Sequence, residues 1–304
     1  MPKFAISESV EISKPLSEVF AYVRDFQNWP AWSPWLICEH DAKVDFRGDA
    51  YSWEGEFVGS GEMQVLTARE DRDILYALEF FKPWKSKANV QMSFKEEGAG
   101  TKVTWTMQSG LPWFMFFLKK MMVQLIKMDY QRGLKMLKEQ LETGEVDSEL
   151  SYAEESLKSV PYVAIEGYCK MEDMEKELGS DFQTLMGIYR EIGDHSQPPF
   201  SIYKKWKLRK GEVQYLVCCP VKAGTETPNG CVAGVREGCS AFVVTHTGAY
   251  HHLGNAWSAG MMRSMGKNRL FKKDKKIAPF EIYLTDPDRE PDTPIITKVC
   301  LPKI

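Results

Sequence analysis

Pro198-Pro199-Phe200-Ser201-Ile202-Tyr203 returns eighty residues later as Ala278-Pro279-Phe280-Glu281-Ile282-Tyr283, with four of the six positions identical. Each copy follows a helical stretch and precedes a second strand-like run, the mark of a duplicated unit. Working outward, the first unit reads as strand 162–169, helix 171–192 and strands 200–206 and 213–221. The second reads as strand 240–247, helix 250–265 and strands 280–284 and 295–301. Two such β-α-β-β units can pair about a pseudo-two-fold axis and leave a groove between them. The copies part at one informative position, where Ser201 in the first becomes Glu281 in the second.

Side chains on a strand alternate between its faces. Phe280, Ile282 and Leu284 share one face and suit packing under helices. Glu281, Tyr283 and Thr285 share the other, with Ser201 and Tyr203 on the matching face of the first copy. Symmetric pairing would set Tyr203 and Tyr283 on either side of a groove with Glu281 between or below them. A carboxylate beside aromatic faces suits a cationic or electron-poor planar compound. Cation–π contact contributes about 0.5–2 kcal/mol, and charge pairing strengthens as water leaves. The plainer alternative pairs Glu281 with a nearby Lys or Arg, or turns it to solvent on an edge strand. Trp257, seven residues after Tyr250 on the predicted helix, either lines the groove or belongs to the core. Tyr162, at the start of the first strand, either lines the groove or lies on a surface edge.

The first half is organised differently. An alternating run, 4–12, leads through Ser13-Lys14-Pro15 into a short helix, 16–23, with proline at its start. An aromatic, turn-rich segment, 28–35, follows. Strand-like runs then cover 50–57, 61–68, 73–80, 88–94 and 101–108, separated by turns rich in Gly and charge. A helix from Trp113 to about Leu141 closes the half. Trp29, Trp32, Trp35, Trp53, Trp84, Trp105 and Trp113 all fall in this half. That density suits either core packing or a cavity lining, and alternation could aim Trp53 and Trp105 inward. The polar segment 146–158 reads as a linker, dividing the chain into domains 1–145 and 159–304.

Two family resemblances follow from these residues. Val10-Glu11-Ile12-Ser13-Lys14-Pro15 before Val19-Phe20, Asp25 through Trp32-Ser33-Pro34, and Gly100-Thr101-Lys102-Val103 resemble the START/polyketide-cyclase-like (SRPBCC) superfamily over residues 3–143. That resemblance implies a helix-grip fold, an antiparallel sheet curved around a long C-terminal helix and enclosing an apolar cavity. Thr247-Gly248-Ala249-Tyr250 with Leu253 and Trp257, then Pro279-Phe280-Glu281-Ile282-Tyr283, then Thr297-Lys298-Val299 before Pro302, resemble the GyrI-like family over residues 160–304. The family includes effector-binding domains of bacterial multidrug-sensing regulators, which implies an acidic residue in an aromatic pocket, here Glu281. Those regulators carry a DNA-binding helix-turn-helix, and this chain has an SRPBCC-like half in its place. Some GyrI-like proteins resemble hydrolases of strained electrophiles. In that alternative the protein is a hydrolase or cyclase of a strained or activated small molecule, with Glu281 as general base, on water in the hydrolase, and Tyr283 or Tyr203 as hydrogen-bond donor.

Composition narrows the classes further. A net charge of −3 over 304 residues gives no electrostatic footprint for nucleic acid. Seven scattered cysteines with no Cys-x-x-Cys pair fit a reducing compartment. The opening residues alternate and do not form a signal-peptide core. The apolar run 111–128 is broken by Lys119, Lys120 and Lys127, which argues against a stable membrane span. No phosphate loop, Gly-x-Ser-x-Gly elbow or zinc-binding His-Glu-x-x-His is present, and no metal or cofactor is expected. The expectation is an α+β chain, a helix-grip domain followed by a pseudo-two-fold duplicated β-α-β-β domain, in a bacterial cytoplasmic protein that senses or sequesters small molecules. Ser201, Tyr203, Glu281, Tyr283, Tyr162 and Trp257 would bind a cationic, aromatic or amphipathic ligand. Trp53 and Trp105 would line a second, apolar cavity.

Overall fold

Strict apolar alternation along three consecutive runs sets up the first sheet. Ile74, Tyr76 and Leu78, then Val90, Met92 and Phe94, then Val103, Trp105 and Met107 are all buried, each set facing one side. The computed structural model describes residues 3–110, 117–285 and 290–304. The chain divides into two compact units, Met1–Asp147 and Ser148–Ile304.

The first unit contains β1 (Lys3–Ile12), α1 (Leu16–Arg24), β2 (Lys43–Arg47), β3 (Ala50–Glu54), β4 (Ser60–Arg69), β5 (Asp73–Lys82), β6 (Ser86–Glu97), β7 (Gly100–Gly110) and α2 (Lys119–Thr143). Among the described residues its sheet runs β1-β7-β6-β5-β4-β3-β2, antiparallel throughout. The 25-residue α2 ends at Gly144, whose φ of 94° supplies the left-handed turn that closes a helix. The start expected at Trp113 lies outside the described residues. Gly133 lets α2 press onto the sheet: a Cβ there would stand 2.9 Å from the Trp105 ring and 3.0 Å from Pro34. Tyr130, one turn earlier, stacks on the same ring at 3.9 Å.

The second unit contains β8 (Ser148–Leu157), β9 (Val160–Lys170), α3 (Met174–Ile192), β10 (Phe200–Lys207), β11 (Glu212–Pro220), β12 (Val232–Arg236), β13 (Cys239–Gly248), α4 (Gly254–Arg263), β14 (Phe280–Tyr283) and β15 (Ile296–Pro302). The segment expected to be a linker is therefore β8, in a ladder with β13 from Ser148↔Gly248 to Leu157↔Cys239. Its polarity belongs to an edge strand with one wet face, and Glu149, Glu154 and Glu155 guard that edge against further pairing.

The sheet order, β12-β9-β11-β10-β14-β15-β13-β8, reads as a palindrome of the duplication. The strand leading each repeat lies beside the other repeat, β8 on β13 and β12 on β9. The centre is the β10–β14 pair, with Phe200↔Ile282, Ser201↔Glu281 and Ile202↔Phe280 in register. Flanking bonds mirror one another: Tyr203 N–H donates to Pro279 O at 2.9 Å and Tyr283 N–H to Pro199 O at 3.1 Å. The pseudo-two-fold axis thus passes through the Ser201–Glu281 pair.

One expectation about the faces is corrected. Leu185 and Tyr189 of α3 pack with Tyr203, Tyr215 and Val217, and Ala256 of α4 packs with Val244 and Val299. Both helices therefore cover the face that holds Glu281. Phe280 and Ile282 point to the other face, into a core shared with Phe200, Leu216 and Val243. Aromatic and polar residues near the axis are what the helices enclose.

Candidate functional site

Glu281 is 1% exposed. Its Oε2 accepts hydrogen bonds from the phenols of Tyr203, at 2.7 Å, and Tyr283, at 2.6 Å. Its Oε1 accepts from the indole Nε1 of Trp257. Ser201 Oγ lies 3.1 Å from Tyr283 Oη and can donate to it while Tyr283 donates to the carboxylate. Among the described residues Glu281 forms no ion pair. Burial raises its pKa above the ordinary carboxylate value, opposed by the bonds from Trp257, Tyr283 and Tyr203. Burial also lifts both phenols well above their ordinary value, so they stay protonated donors.

The duplication explains why there is one acid. Side chains directly opposite on paired strands stand about 5 Å apart, so two carboxylates at this register would repel across the axis. Serine in one copy and glutamate in the other give a single charge flanked by the paired tyrosines.

Around the acid the rings form a wall. Tyr203 meets Trp257 edge-on at 5.0 Å and stacks on Trp206 at 5.2 Å. Phe182 and Tyr250 approach Tyr283 at 4.7 and 6.0 Å. Trp206, Phe182 and Trp257 are half-buried and Tyr250 is exposed, so the wall extends from the acid to the surface.

The structure brings together Ser201, Tyr203, Trp257, Glu281 and Tyr283. It does not bring Tyr162 to them. Tyr162 packs edge-on to Phe200 at 5.7 Å on the opposite face, because its neighbour Val163 is the residue that faces the helices. Trp206 escapes a reading by strict alternation. The ladder with β11 shifts register between Tyr203 and Lys205, and this bulge returns Trp206 to the face of Tyr203. Phe182 and Tyr250 come from other elements, and only the tertiary fold reveals them.

In the first unit Trp105 is 2% exposed, enclosed by Trp29, Trp32, Trp35 and Tyr130. Trp53 is half-buried, stacked on Tyr51 at 5.6 Å and edge-on to Phe80 at 5.8 Å. Trp32 Nε1 and Tyr76 Oη are buried without a hydrogen-bond partner among the described residues.

A second polar cluster lies under α4. His246 Nε2 is 3.0 Å from Ser148 Oγ, which also accepts from Asn255 Nδ2 at 3.0 Å. Burial is the first cause, and neighbouring His252 and His251 the second, that lower the His246 pKa to about 4.

Residues 151–303 match the family described as GyrI-like small molecule binding domain. The chain belongs to the GyrI-like family. Residues 3–142 match the family described as polyketide cyclase/dehydrase and lipid transport, ahead of the GyrI-like domain. Among solved structures, the chain is similar to the Aha1 dimer from Colwellia psychrerythraea, at 12% identity over 47% of this chain and 99% of that one, TM-score 0.37. It is similar to CalU16 from Micromonospora echinospora, at 16% identity over 47% and 77%, TM-score 0.32. It is also similar to EcmrR in its DNA complex, at 15% identity over 63% and 68%, TM-score 0.43. No curated protein matches the chain. Among the described residues no helix is long and apolar enough to cross a membrane. With its GyrI-like domain, the protein is a small-molecule binder.

Proposed function

We propose that the GyrI-like domain senses or sequesters amphipathic or aromatic cations, held by Glu281 within the rings of Tyr203, Trp206, Trp257 and Tyr283. The observation that carries this reading is a buried carboxylate that meets aromatic donors and no ion-pair partner among the described residues. A cation would supply the missing counter-charge while its apolar body covers ring faces. The ligand enters from the Tyr250 and Trp206 end and displaces the Trp257 indole from Oε1. In the first unit Trp32 Nε1 and Tyr76 Oη, without a partner among the described residues, support a second site for an apolar compound bearing an acceptor oxygen.

The competing hydrolase reading makes Glu281 a general base and Tyr283 a donor. The raised proton affinity of Glu281 supports it; the existing engagement of both carboxylate oxygens counts against it.

Titration of the full chain with tetraphenylphosphonium, followed by tryptophan fluorescence and calorimetry, tests the binding reading. Saturable quenching with one site in the second unit is expected. Absence of any heat or quenching with this cation and with planar quaternary amines would refute it. Turnover of an activated ester or epoxide, lost in Glu281→Gln, would favour the hydrolase.

A further inference from the structure

On the face of the second sheet opposite Glu281, Arg236 ends β12 and is 7% exposed. Its guanidinium lies over the rings of Phe200, at 4.8 Å, and Phe280, at 4.7 Å, which are equivalent positions of the duplicated motif. The cation therefore sits at the same pseudo-two-fold axis as Glu281, with the sheet between them. Its Nη2 donates to Lys158 O at 3.2 Å, and its Nε has no partner among the described residues. Among the described residues no carboxylate pairs with it. The titratable neighbours are the thiols of Cys218, Cys239 and Cys300, kept neutral by burial. Nearby Lys298 is already neutralised by Glu155, at 2.7 and 2.9 Å. Burial lowers the guanidinium's pKa from its ordinary value, the mark of a cation short of counter-charge.

Arg236 lines a hollow of about 320 Å³ together with the apolar Leu157, Val160, Phe200 and Ile282 and the polar Lys158, Gln197 and Lys298. That volume is at the lower end of small-molecule sites. Apolar walls with one buried, under-bonded guanidinium are the complement of an apolar body carrying a carboxylate, which matches the fork of Arg with two acceptor oxygens.

We infer that this hollow is a second ligand site in the same unit, selective for small apolar or aromatic carboxylates and anchored by Arg236. It takes the opposite charge to the site at Glu281 and does not depend on the reading given to that site.

The test is calorimetry on the full chain with 2-naphthoate and its uncharged twin, 2-naphthamide. Naphthoate is expected to bind once per chain, and the amide about 30-fold more weakly, the loss of one charged hydrogen-bonded pair. Arg236→Met should abolish naphthoate binding, and Glu281→Gln, which removes a negative charge across the sheet, should not weaken it. Circular dichroism checks that Arg236→Met folds. If that variant does not fold, the naphthoate-to-naphthamide ratio in the unaltered protein decides alone. Equal affinity for the two compounds, no binding of either at millimolar concentration, retained binding in folded Arg236→Met, or loss in Glu281→Gln would each overturn the inference.

Discussion

Replacing Glu281 by glutamine tests the cation site directly, because it keeps the side chain's shape and an acceptor oxygen while removing the charge. A cation resting on the Tyr203 and Trp257 rings would lie about 4–6 Å from the carboxylate. At an effective dielectric of about 20 that pairing is worth about 3–4 kcal/mol. Desolvation of the ligand offsets about half, leaving about 2 kcal/mol, or about a 30-fold rise in Kd. The cation–π contribution of the rings is retained in the variant. Calorimetry with tetraphenylphosphonium at neutral pH reads the change. The pH dependence is a second readout. Glu281 binds its proton more tightly than an ordinary carboxyl, so wild-type affinity should fall as pH drops through that raised pKa. The Gln variant should show no such fall. Equal affinity in the two proteins, or matching pH profiles, would refute the charge-pairing role.

Exchanging the two axis residues, Ser201→Glu with Glu281→Ser, should restore cation affinity above that of Glu281→Gln, because Tyr203 and Tyr283 are placed to serve either copy. Ser201→Glu alone should lower the urea midpoint by opposing two buried carboxyls, and a matched midpoint would contradict the axial geometry. His246 adds a pH term to stability. Unfolded, it titrates near 6.5; folded, burial holds it at about 4, so the unfolded chain takes up the proton first. Stability present above pH 6.5 is lost as pH falls toward 4, by about 3 kcal/mol, and urea titrations should show a shallower loss in His246→Gln. Gly133→Ala gains about 1 kcal/mol of helix propensity yet sets a methyl against the Trp105 ring and Pro34, so a net loss of about 1–2 kcal/mol is expected. Near-ultraviolet circular dichroism should report a disturbed Trp105–Tyr130 stack, and an unchanged spectrum with higher stability would count against the close approach.

The motif Pro-Phe-x-Ile-Tyr carried much of the second unit, because an eighty-residue repeat leaves a pattern that survives without coordinates. It placed Ser201, Tyr203, Glu281 and Tyr283 on one face through alternation alone. It did not reveal which face the helices cover, since apolar Phe280 and aromatic Tyr283 are equally suited to burial. Tyr162 shares the parity of the exposed Glu166 and Lys170, opposite Val163 and Ile165, so its side was legible further along the strand and not from its first residues. Trp206 was hidden by a bulge, and β8 by the polarity of an edge. In the first unit the alternation of β5, β6 and β7 was plain, whereas Gly133 acquires its meaning only when Trp105 is across from it.

The crossing of β8 to β13 and of β12 to β9 has a consequence for how this unit could be divided. Neither half of residues 148–304 owns its own border. Cutting the chain in the 222–231 loop would give two fragments, each missing a strand that the other holds, and each should remain unfolded until mixed. A single half made alone would satisfy its open margin by lending its leading strand to a twin, so the unit carries, within one polypeptide, the architecture of a swapped dimer.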